Sequence, residues 1–127
     1  MDNPEQLLLF PLWYVVFLLS LTCHEAAHAL VAYLGGDDTA YALGQVTLNP
    51  VPHIDPFGSI ILPAMGALAG VPVIGWAKPV PVDPNRLRSP RRDMLVVSLA
   101  GPGTNLLLML ASALVARALY QPPPFGF

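Results

Sequence analysis

The chain has 127 residues, enough for one small domain. Hydrophobic residues make up 54% and charged residues only 11%, under half the roughly 25% usual in soluble domains, so the composition is that of a membrane protein. A net charge of −2 excludes the basic footprint of a nucleic-acid binder, and a single cysteine, Cys23, excludes an internal disulfide.

Residues 1–6 form a short polar lead. It is acidic (Asp2, Glu5) where a signal peptide is basic, and the apolar run after it is too long for a signal core, so no cleavable signal peptide is expected. Residues 7–34 are predicted as one long membrane helix. Its first seventeen residues carry no formal charge, and it exceeds the roughly 20 residues needed to span, so it tilts or projects. Pro11 falls near its start, where proline is tolerated; Trp13 and Tyr14 suit a membrane interface; Gly35-Gly36 ends it.

Inside that run lies His24-Glu25-Ala26-Ala27-His28. Residues four apart on a helix share a face, so His24 and His28 can offer two ring nitrogens to one metal ion. Glu25, turned about 100° from His24, stands beside the ion, where it can deprotonate a bound water. This is the mechanical content of His-Glu-x-x-His, the zinc-hydrolase signature. Its setting adds weight: a carboxylate near the middle of a membrane helix costs roughly 2.5–3.5 kcal/mol and is usually functional. Cys23 adjoins His24 but points off the histidine face and is read as a packing residue.

Beyond Gly36, the residues Tyr41, Leu43, Val46 and Leu48 flank Gly44-Gln45, which fits either two short strands about a turn or an irregular loop. Asn49-Pro50, Pro52 and Asp55-Pro56 are turn chemistry. Residues 57–77 are uncharged and long enough to span, but Pro63, Pro72 and four glycines make the segment a broken or re-entrant one. Gly66 and Gly70 would let another helix approach closely. Residues 78–93 hold five of the six basic residues (Lys78, Arg86, Arg88, Arg91, Arg92), which places that stretch on the cytoplasmic side. Residues 94–116 form a second clear span, interrupted early by Gly101-Pro102-Gly103-Thr104-Asn105, and 121–127 are a proline-rich tail. With three full crossings the histidine pair faces outward; with a re-entrant middle run it lies toward the cytoplasm.

Taken together, several blocks in order resemble the site-2 proteases, intramembrane zinc metalloproteases, in their compact prokaryotic branch. The blocks are His24-Glu25-x-x-His28; Val46-Thr47-Leu48-Asn49-Pro50 with His53-Ile54-Asp55-Pro56-Phe57-Gly58; Gly75-Trp76-Ala77-Lys78-Pro79-Val80-Pro81-Val82; and Arg91-Arg92-Asp93-Met94 running to Ala100-Gly101-Pro102 and Asn105. The resemblance implies one zinc ion (Zn2+) per chain on His24 and His28, Glu25 as the catalytic base, and Asn105 near the substrate peptide or the oxyanion, with an interhelical contact as the plainer role for Asn105. It implies that His53 and Asp55 are structural or groove residues. It also implies a third ligand, an aspartate in an Asp-Gly pair on a later helix. The chain contains no Asp-Gly. A truncated chain lacking that helix is the expectation; the alternatives are substitution by His53 or Asp55, or an inactive relative.

The expected architecture is thus an all-α membrane protein, one integral-membrane core over residues 1–127, with about three transmembrane or re-entrant helices and a short β-hairpin-like segment after the first. The expected function is intramembrane zinc-dependent hydrolysis of peptide bonds in or near transmembrane segments, in a multi-pass protein of the prokaryotic plasma membrane. Its partners would be a membrane-protein or peptide substrate and the lipid bilayer, with no nucleic acid; the sequence leaves the oligomeric state open. The competing class is an inactive metal-binding or scaffold homologue. A metal transporter fits less well, because 94–116 carries only Asn105 and small hydroxyls.

Overall fold

A computed structural model describes residues 4–70 and 75–120, the first four of these by backbone alone. The predicted tail at 121–127, most of the polar lead and residues 71–74 of the middle run lie outside the described residues.

Two long helices dominate. Helix α1 runs Pro4–Leu34 and packs against α4, Pro90–Leu119. Cross-contacts at Gly35 with Asp93, His28 with Val97 and His24 with Asn105 make the pair antiparallel. Both are long and apolar enough to cross a membrane, and only 22% of the apolar window of α1 and 11% of that of α4 is buried within the chain. A core helix of a soluble protein would be mostly covered; here Leu12, Leu19, Leu107 and Leu114 face outward.

The ends of the two helices are set by local chemistry. At the end of α1, Gly36 takes φ +112°, its N–H donates to Tyr33 O, and Asp37 N–H donates to Ala32 O at 2.9 Å, a Schellman closure that needs glycine at its left-handed position. The last carbonyls of α1 are taken up from the far end of the chain: Arg88 donates from N–H to Gly35 O and from Nη1 to Leu34 O. Helix α4 opens at Ser89-Pro90, four residues before the predicted span, because Asp93 Oδ2 reaches back to the Ser89 N–H at 3.0 Å and proline suits the first helical position.

The hairpin expected near 41–48 is absent: no strand occurs among the described residues. Asp37 Oδ1 accepts from both the N–H and the hydroxyl of Thr39, which starts the short helix α2, Thr39–Ala42. The Ala40 carbonyl then takes the N–H groups of Leu43 and Gln45, and Gly44 turns the chain at φ +75°. Further on, Thr47 Oγ1 and Asn49 Oδ1 accept from Asn49 and Val51 N–H. Side-chain turns thus consume the donors that a ladder would have used.

The middle run does not cross as one span. A π-helical stretch, Pro56–Ile61, leads into α3, Leu62–Ala69, which Gly70 terminates at φ +77°. Asp55 caps the start, accepting from Phe57 and Gly58 N–H. Pro63 has no N–H, so the Ser59 carbonyl loses its α-helical donor; Tyr14 of α1 donates its hydroxyl to that oxygen at 2.6 Å and ties the two elements together.

Residues 75–83 are extended and clamped along their length. Trp76 N–H donates to Gly58 O, Lys78 N–H to His53 O, Gln45 Nε2 to Pro79 O, and Asp83 N–H to Asp37 Oδ2. Gly58 lies flush against the Trp76 ring, where a Cβ would collide with the indole.

Candidate metal and catalytic site

An open cavity of about 760 Å³ lies between α1, α4 and the extended segment. Leu21, His24, Glu25 and His28 come from α1, and Val97, Ser98 and Asn105 from α4. The third wall is the segment from Trp76 to Val82.

The helix does to the histidines what their spacing requires. His24 Nε2 and His28 Nε2 lie 3.1 Å apart, with the rings edge to face at 77°. Two nitrogens each about 2.0–2.1 Å from one tetrahedral zinc would stand roughly 3.3 Å apart, so the pair is spaced as two ligands of one ion. Glu25 lines the same cavity, and no hydrogen bond occupies its carboxylate among the described residues.

Helix α4 meets this pair with a stripe of its own. Val97, Gly101 and Asn105 recur every fourth residue and so share one face. Val97 O takes the His28 Nδ1–H at 2.6 Å, which leaves His28 Nε2 bare. Asn105 Nδ2 lies 2.9 Å from His24 Nδ1. Gly101 packs between them: a Cβ there would sit against both Nε2 atoms, so glycine leaves open the volume in front of the nitrogens where an ion would lie. Sequence gave Val97 no role, and it marked Gly101 only as part of a family block; a glycine four residues before a polar residue in an apolar span was the available signal.

A catalytic zinc takes three protein ligands and a water. Among the described residues no group of three His, Cys, Asp or Glu could hold a metal. The two substitutes raised by sequence are committed elsewhere. His53 is 2% exposed with Nε2 bonded to Thr47 O, Asp55 caps the helix at Pro56, and neither lines the cavity. Cys23 faces a second, smaller cavity with Ala27 and Leu48, as its packing role predicts. The residues present therefore fit two-thirds of a zinc site, with an unpartnered carboxylate beside it.

This combination defines a helical metal-hydrolase half-site carried on membrane-length helices. Relatives carry the same designation. The chain is 45% identical over 100 residues to a Bacillus subtilis protein named "Putative zinc metalloprotease YwhC", a match that covers 79% of this chain and 42% of the relative. It is 36% identical over 107 residues to proteins of Mycolicibacterium smegmatis and Mycobacterium tuberculosis named "Putative zinc metalloprotease Rip2", covering 84% of this chain and 40% of each relative. The chain is homologous to these proteins and belongs with them to the site-2 protease family, and it spans about two-fifths of their length. No family sequence model and no solved structure matches it.

Proposed function

We propose that the chain forms the His-Glu-x-x-His half of an intramembrane zinc endopeptidase, with His24 and His28 as ligands, Glu25 as general base, and the unwound stretch of a membrane-spanning substrate lying in the cavity. The observation that carries this reading is the 3.1 Å convergence of the two Nε2 atoms with the free Glu25 carboxylate in the same cavity. Zinc, when bound, supplies Lewis acidity that brings the pKa of a water toward about 7 and polarises a carbonyl. Glu25 takes a proton from the attacking water at its carboxylate and returns it to the departing amine nitrogen. The resemblance assigns the third ligand to an Asp-Gly on a later helix, beyond the residues of this chain.

The cavity wall gives the substrate an apolar seat. Trp76, Ala77, Val80 and Val82 present side chains to it, while Pro79 and Pro81 carry no N–H. An incoming strand therefore finds few donors to pair with, and the grip is through side-chain contact instead of edge pairing. The basic stretch at 78–93 faces the cytoplasm by charge, and Arg88 bonds the end of α1. On this reading the middle run is re-entrant and the histidine pair opens toward the cytoplasmic half of the membrane.

The test is zinc content and cleavage of a membrane-anchored reporter by protein made from its complete reading frame, wild type against Glu25→Gln. Bound zinc in both with cleavage reduced at least about 1,000-fold in the variant is the expected result. Equal cleavage would reject Glu25 as the base. Zinc bound without cleavage by the wild type would favour the scaffold reading, which the absence of a third ligand among the described residues supports.

A further inference from the structure

A histidine ligates through a bare ring nitrogen, so its proton must rest on the other one. For His28 this is settled. Val97 O can only accept, so Nδ1 carries the proton and Nε2 is bare. His24 is held the opposite way. The Asn105 Nδ2 group donates to His24 Nδ1 at 2.9 Å, which leaves the ring proton on Nε2, aimed at the bare Nε2 of His28 at 3.1 Å. The bonds then run in one direction, from Asn105 to His24 to His28 to Val97. Every ring nitrogen is satisfied without a metal, and His24 is barred from ligating by its own proton.

We propose that Asn105 is a two-position partner that sets the tautomer of His24 and thereby gates metal loading. With Nδ2 turned to His24, the amide stabilises the metal-free chain of bonds. A half-turn of the amide brings Oδ1 to the same place; it accepts from Nδ1–H and leaves Nε2 bare. The ring is neutral in both positions. One proton leaves Nε2 and one arrives on Nδ1 through water of the open cavity, with no net release.

Asparagine suits this place because its two ends reach equally far and are opposite in kind. Aspartate could only accept, which would hold His24 permanently in the ligating tautomer. Leucine, of similar size, would do neither. The location agrees. Asn105 stands one turn beyond Gly101 on the face of α4 that covers the histidines, so it touches the ring nitrogen that faces away from the ion. This makes it a positioning residue, distinct from the substrate or oxyanion role that the family resemblance suggests. The inference rests on the zinc reading of His24 and His28.

The experiment uses the complete protein in nanodiscs. Ring-nitrogen NMR of the three histidines is recorded without metal and with zinc, and zinc affinity is measured by chelator competition for wild type, Asn105→Asp and Asn105→Leu. In the wild type, His24 should carry its proton on Nε2 without metal and on Nδ1 with zinc. Asn105→Leu should bind zinc about 10–100-fold more weakly. Asn105→Asp should keep the Nδ1–H form in both states and bind at least as tightly as wild type. A metal-free wild type already in the Nδ1–H form, or a leucine variant with unchanged affinity, would overturn the gating role. Wild type that binds zinc normally whatever stands at 105 sinks this inference alone; wild type that binds no zinc sinks the proposed function as well.

Discussion

Two polar clusters lie along the C-terminal half of α1, and they are built in opposite ways. Asp37, just past the helix, is 0% exposed, and its two oxygens collect three donors: Thr39 N–H at 3.0 Å, the Thr39 hydroxyl at 2.6 Å and Asp83 N–H at 2.6 Å. Nine residues earlier the histidine pair and Glu25 face a cavity, with a carboxylate that no group in the described chain satisfies. The first cluster is closed and joins α1 to the extended segment. The second is open, its outer atoms held by α4 and its inner ones left for a ligand. In an apolar chain an unsatisfied polar group is costly, so a closed cluster reads as structure and an open one as a site.

The sharpest way to break that contrast is to close the open cluster. Gly101→Ala adds one methyl against both Nε2 atoms. The methyl fills the volume in front of the nitrogens, so zinc affinity should fall at least about 100-fold, comparable to the upper end of losses from disturbing a metal site's surroundings. Helix content should hold, because alanine is the better helix former. Zinc bound normally by this variant would show that the nitrogens do not converge on that volume.

Opening the closed cluster should act on stability and spare the metal. Asp37→Asn replaces one acceptor oxygen with an NH2 that faces a donor, and bonds to a charged group are worth about 1.5–3 kcal/mol each, so a loss of about 2–4 kcal/mol is expected in thermal unfolding. The effect carries a pH signature. Burial alone would raise the Asp37 pKa, but the bonds from Thr39 and Asp83 and the nearby Arg86 charge outweigh it and hold it below the ordinary 3.8. A folded-state pKa below the unfolded one contributes stability that is complete above the unfolded value and lost as pH falls through the folded one. The gap between wild type and Asp37→Asn should therefore be widest at neutral pH and close below about pH 4. A gap independent of pH would mean that the carboxylate charge is not what holds the joint.

The contrast also explains what the sequence disclosed. A helix fixes its own neighbours, so His24, Glu25 and His28 could be read from spacing alone. The stripe that faces them could not, because Val97, Gly101 and Asn105 acquire meaning only once α4 is laid antiparallel on α1. Asn105 was reached by resemblance, and its contact turned out to be the outer nitrogen of His24. The alternation around Tyr41 and Val46 misled for a related reason. It is two residues long on each side, while Asp37, Thr47 and Asn49 offer local acceptors that close turns before strands can pair. The boundary of α4 was missed because hydropathy marks where a helix enters lipid, whereas Ser89, Pro90 and Asp93 mark where it begins.

The smallest expected effect comes from a polar contact of a third kind, one that repairs a backbone. Tyr14→Phe removes the hydroxyl that satisfies the Ser59 carbonyl orphaned by Pro63. The ring stays, so packing against Phe10 and Phe17 is retained and only the bond is lost. A carbonyl left without a partner costs about 1–2 kcal/mol, less if water from the cavity reaches it. Unfolding temperature should drop modestly, and zinc affinity should be unchanged, because Tyr14 is more than two turns from His24 and lines no part of its cavity. A variant that lost zinc with little loss of stability would show that the start of the re-entrant run and the histidine pair move as one unit, and the division between closed structure and open site would have to be redrawn around Ser59, whose hydroxyl also holds Trp76 of the cavity wall at 2.7 Å.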